Sequence, residues 1–112
     1  MGISIMRRGS MPSGGAAAQT LTMDKYPPEV RIEWDRFTAL VENGDATLIE
    51  VGFKNGVSEY ILRSLLIANA GQSITVKGPC RVPGDYQPFA RYTGTAAGEV
   101  LTFFAYGVIV PD

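Results

Sequence analysis

The sequence predicts an all-β domain, an antiparallel β-sandwich or small barrel. Apolar and polar residues alternate with period two in several short segments, and strong turn dipeptides such as Asn55-Gly56 separate them. The 13 glycines and 7 prolines among 112 residues punctuate the chain too often for long helices. Hydrophobic residues at 46% and charged residues at 19% are ordinary for a folded domain. The predicted organisation is a flexible N-terminal arm over residues 1–18 and one sandwich domain over residues 19–112.

The arm is rich in Gly, Ser, Ala and Met and shows no stretch able to hide an apolar face. Fully extended, it could reach about 60 Å. After Tyr26-Pro27-Pro28, Val30, Ile32 and Trp34 alternate with Arg31, Glu33 and Asp35, the mark of a half-buried strand. Arg36-Phe37 breaks the phase, which predicts a bulge. Asn43-Gly44-Asp45 reads as a turn, followed by Thr47, Ile49, Val51 and Phe53 on one face of the next strand. A two-residue turn at Asn55-Gly56 would set Lys54 opposite Val57, Val51 opposite Tyr60 and Ile49 opposite Leu62. In that register Tyr60, Leu62 and Leu66 point to the core, whereas Ile61, Leu65 and Ile67 point outward. A helix over residues 58–70, capped by Ser58 and stopped by Gly71, fits the same segment.

Ile74 and Val76 mark a short strand that Gly78-Pro79 should end. Val82-Pro83-Gly84-Asp85 suits a type II turn with positive φ at the glycine. A strand follows from Phe89 to Thr93, then a small-residue turn from Gly94 to Gly98. Val100 to Val110 is almost wholly apolar, as in a strand covered on both faces.

Several function classes are excluded by composition. A net charge of −1 supplies no basic field for nucleic acid or an anionic membrane. No histidine is present, which removes imidazole bases and the usual zinc sites. Cys80 is the single cysteine and has neither a disulfide partner nor a base to activate it. No phosphate-binding glycine string opens a helix. No signal peptide or apolar spanning run is expected. Glu33 and Asp35 alternate with the apolar set and so should face water rather than form a catalytic pair. These observations predict a non-enzyme with no cofactor and no metal.

Two surfaces remain as candidates for binding. Tyr86, Phe89 and Tyr92, close in sequence to Arg81 and Arg91, could form an aromatic platform for a sugar or a single-stranded nucleic acid, or Phe89 or Tyr92 could fill the core while Tyr86 dresses a loop. Arg7 and Arg8 on the arm, with the outward aliphatics Ile61, Leu65 and Ile67, form the predicted assembly interface, because large aliphatic groups facing water need a cover.

The stretch from Val82-Pro83-Gly84-Asp85-Tyr86 through Phe89, Arg91-Tyr92-Thr93-Gly94 and Ala97-Gly98 to Tyr106-Gly107 resembles the closing hairpin of small jelly-roll proteins in tailed-phage virions. The resemblance covers about thirty residues of turn and strand texture. It implies a jelly-roll sandwich and a capsid decoration, minor capsid or tail-associated role without catalytic residues. With it go contacts with other virion proteins and assembly in the host cytoplasm, while the outward aliphatics of residues 61–67 and the two-sided apolar strand from Val100 to Val110 predict self-association as a dimer or trimer. The alternative reading is a carbohydrate-binding module or adhesin domain.

Overall fold

The computed structural model describes residues 3–15, 18–69 and 71–110, Ile67 by its backbone only. Eight strands follow in order: β1 (Ile3–Pro12), β2 (Ala18–Thr22), β3 (Arg31–Val41), β4 (Ala46–Asn55), β5 (Ser58–Ala68), β6 (Ser73–Pro83), β7 (Gln87–Thr93) and β8 (Val100–Val110). They form two four-stranded sheets, ordered β1-β8-β3-β6 and β2-β7-β4-β5. Every pairing is antiparallel, and β4 with β5, β3 with β6, β2 with β7 and β1 with β8 make four nested pairs. One long hairpin is thus rolled into two facing sheets, the topology of a jelly roll. Segment 58–70 is strand rather than helix through Ala68.

The core is built from the inward residues of each strand. Phe37 on β3 lies at its centre, 5.6 Å from Trp34, 5.2 Å edge-on from Phe53 on the opposite sheet and 6.1 Å from Phe103 on β8. Gly107 sits directly under Trp34, whose Cε3 would lie 2.8 Å from any Cβ placed there. A glycine in an otherwise apolar strand therefore makes room for the largest side chain of the core.

The arm expected over residues 1–18 is corrected from Ile3 onward. β1 pairs with β8 along its whole length, from Ile3 opposite Ile109 to Pro12 opposite Val100. Ile5 and Met11 pack against the core, and Gly9 lets β1 approach Leu21. The period-two signal was hidden because Arg7 and Gly9 occupy two of the inward positions. β8 is apolar on both faces and needs a neighbour on each edge, and β1 supplies one of them.

The β4–β5 register also differs from expectation. The tight loop is Gly56-Val57, with Gly56 at φ 62° and Asn55 opposite Ser58, so Phe53 faces Tyr60 and Lys54 faces Glu59. A bulge between Val51 and Gly52 then shifts the pairing again, to Val51 opposite Arg63 and Ile49 opposite Leu65. Only a glycine fits at this bulge, since a Cβ at Gly52 would lie 2.0 Å from the Tyr60 carbonyl oxygen. Because side chains alternate faces, the extra residue reverses the outcome for the far half of β5. Leu65 turns inward against the core, and Leu66 turns out.

β6 does not stop at Gly78-Pro79 but continues to Pro83. It is an edge strand, so a proline lacking an N–H costs no ladder bond on its open side. The turn after β6 runs from Pro83 to Tyr86, closed by the Tyr86 N–H donating to the Pro83 carbonyl at 3.1 Å. Gly84 is needed for closeness rather than for positive φ, since a Cβ there would meet the Pro27 oxygen at 2.4 Å. The bulge expected near Arg36 is present, with a register shift between Trp34 and Arg36.

Candidate functional site

The outer face of the β2-β7-β4-β5 sheet, with the edge strand β5, carries the largest group of uncovered apolar side chains among the described residues. Leu66 is 71% exposed and Ile61 and Leu62 are each more than two-fifths exposed, next to Val57, fully exposed in the turn, and Tyr60, which stands at the edge on the face of Phe53. Leu66 stands opposite the half-buried Leu48, and Ile61 lies opposite Gly52, in line with Phe89. The strand's two charged groups are both engaged within the chain. Arg63 Nη1 donates to the Thr75 carbonyl at 2.7 Å, and Glu59 pairs with Arg91.

The predicted interface is only partly assembled by the fold. Ile61 is on this surface, but Leu65 is not, for the register reason given above, and the Ile67 side chain lies outside the described residues. Arg7 and Arg8 lie on β1, in the other sheet, with their guanidinium groups over Tyr26 and Phe104. Leu62 and Leu66 escaped sequence reasoning, because the bulge that aims them cannot be read from periodicity, whereas Tyr60 keeps the face of Phe53 and is exposed at the sheet edge.

The aromatic platform of Tyr86, Phe89 and Tyr92 does not form. Tyr92 points inward, is fully buried, and donates its hydroxyl proton to the Thr102 carbonyl. Its burial pushes the phenol well above the ordinary pKa. Phe89 is equally buried but on the opposite face of β7, under the Arg91 guanidinium at 5.3 Å. Alternation along one strand forbids the two rings from sharing a face. Tyr86 instead stacks on Tyr60, with centroids 6.0 Å apart.

Arg91 ties this face together. Its guanidinium covers Phe89, pairs with Glu59, lies 3.9 Å from Glu50, and its Nε donates to the Thr20 hydroxyl at 3.3 Å. The hydrogen bond from Arg91 holds the Glu59 carboxyl below its ordinary value of 4.5. A carboxylate with a depressed folded pKa stabilises the fold above its unfolded pKa, and that contribution is lost as pH falls through the folded value. The thermal midpoint should therefore fall as pH drops below the ordinary carboxyl value of 4.5, and Glu59→Gln should flatten the fall in that window. A midpoint series against pH for both proteins checks this.

No group of three or more Cys, Asp or Glu side chains among the described residues is arranged to hold a metal ion. The site's chemistry is that of apolar contact and hydrogen bonding.

No family model matches the chain. No curated protein matches it either. Among solved structures, a chain of the Bacillus endospore appendages, which form disulfide-linked pili, is similar with a TM-score of 0.55 at 14% identity, over 100% of this chain and 92% of that one. A chain of the nora virus structure scores 0.45 at 13% identity, over 96% of this chain and 55% of its own. A CBM4 structure scores 0.37 at 15% identity, over 94% and 81%. The two lower scores add nothing to the fold assignment. At its low identity the appendage likeness speaks for a shared sandwich fold and no more.

Proposed function

We propose that this chain is a structural subunit of a virion, a capsid decoration or head- or tail-associated protein of a tailed phage. It works through protein–protein contacts, catalyses no reaction, and is assembled in the host cytoplasm. The observation that carries the reading is the apolar edge strand. Soluble monomers protect long edge strands with proline, lysine or a short length. β6 carries Lys77 and Pro79, and β2 has only five residues. β5 has eleven residues, no proline, and exposed aliphatics at Ile61, Leu62 and Leu66. Glu59 is paired with Arg91, and Arg63 is drawn aside to the Thr75 carbonyl, so neither stands as an unpartnered group among these aliphatics.

Covering each of these side chains contributes up to about 1.5 to 3 kcal/mol. Sedimentation at micromolar concentration is expected to find a closed dimer or trimer. Leu62→Glu combined with Leu66→Glu should weaken association at least a hundredfold, roughly 2.7 kcal/mol, while leaving the thermal midpoint of the monomer near wild type. A wild-type monomer under these conditions would remove the self-association part. The virion part has its own check: the chain should band with purified particles at fixed stoichiometry, and recovery only in the soluble fraction refutes it.

A further inference from the structure

A depression of about 440 Å³ lies on the outer face of the β1-β8-β3-β6 sheet, on the opposite side of the sandwich from the Arg91 network. That volume falls within the range of small-ligand pockets, about 300 to 1,000 Å³. Tyr106, Met6 and Val108 form its apolar walls, and Ser4, Glu33 and Asp35 supply its polar groups. The β3 bulge positions one of them. Pairing passes from Trp34 opposite Gly107 to Arg36 opposite Tyr106, which leaves Asp35 without a partner on β8. Bulges re-aim side chains in this way.

Asp35 makes no hydrogen bond or ion pair among the described residues, although it stands on a folded sheet rather than in a loop. Glu33 is held at the rim by Arg81 at 2.8 Å. Tyr106 remains 37% exposed in the middle of the sheet, flanked by Met6 and Arg36.

We propose that this depression binds a neutral pyranose, with the apolar C–H face of the sugar against Tyr106 and its hydroxyls donating to Asp35 and Glu33. Aromatic side chains with one apolar face and a polar tip suit such a ligand. The surrounding charges select against the alternatives. Cross-strand rows place Arg36 beside Tyr106, with Lys77 one strand further on, and Arg81 beside Glu33. Two cations beside the two lining carboxylates leave the depression near neutral, so neither a cationic nor an anionic ligand gains a net attraction. A neutral polyol uses donors and acceptors together. This site is independent of the assembly reading, because it sits on the other sheet from β5.

The test is a glycan array probed with the full chain displayed multivalently on beads, with a lysine-rich peptide as a parallel probe, followed by titration of the best glycan. Binding to neutral glycans is expected. Tyr106→Ala should lower the affinity at least tenfold and Asp35→Asn several-fold, both with an unchanged thermal midpoint, while Tyr86→Ala should have no effect. The proposal is overturned if no neutral glycan binds, if binding survives Tyr106→Ala, or if the peptide alone is captured.

Discussion

Deleting residues 1–12 should lower the thermal midpoint by more than about 10 °C, because the segment is a strand of the fold. Ile5 and Met11 pack against the core, and ten residue pairs join β1 to β8. Burying a side chain of either kind contributes about 1.5 to 3 kcal/mol, less in proportion where burial is partial. Removing both, and uncovering the edge of β8 beside Phe103 and Ala105, should cost about 3 kcal/mol. At this size each kcal/mol moves the midpoint by about 4 to 8 °C. Circular dichroism of the truncated and full chains decides the matter: equal midpoints would mean that β1 contributes nothing to the fold.

Phe37→Ala should cost about 3 to 5 kcal/mol, the usual range for a phenylalanine lost from a packed core. Phe37 touches Trp34 and Phe103 within its own sheet and Phe53 across the interface, so its removal opens a cavity between the two layers. Phe89 provides the internal comparison. It is just as buried, but it lies outside the core cluster, beneath Arg91, where a flexible guanidinium can settle into the space. Phe89→Ala should therefore cost less, about 2 kcal/mol, made up mostly of lost burial with a smaller cation–π part. Urea denaturation of both variants gives the difference directly. Equal losses would show that burial alone sets the cost and that contact across the sheets adds nothing.

What could be read from the residues was local. The alternation of Ile32 and Trp34 with Glu33, the phase break at Arg36-Phe37, the turn near Asn55-Gly56 and the apolar run from Val100 to Val110 all depend on neighbours a few positions apart, and all appear in the fold. Composition also determined that no imidazole chemistry is available, since the chain holds no histidine.

Tertiary structure decided the rest, through contacts distant in sequence. Residues 3–12 show little periodicity of their own and become a strand because the open edge of β8 recruits them. The outward set on β5 changed from Leu65 to Leu66 because the pairing with β4 shifts at Val51-Gly52, where only a glycine fits against the Tyr60 carbonyl, and one extra residue in a period-two element exchanges its faces. Phe89 and Tyr92, close in sequence, were separated by the odd spacing between them and the two-sided geometry of β7. Tyr106, Met6 and Asp35 gained a common surface only when β1, β8 and β3 came together in register. A strand pattern tells which side chains share a face, but only the pairing with other strands tells which way that face looks.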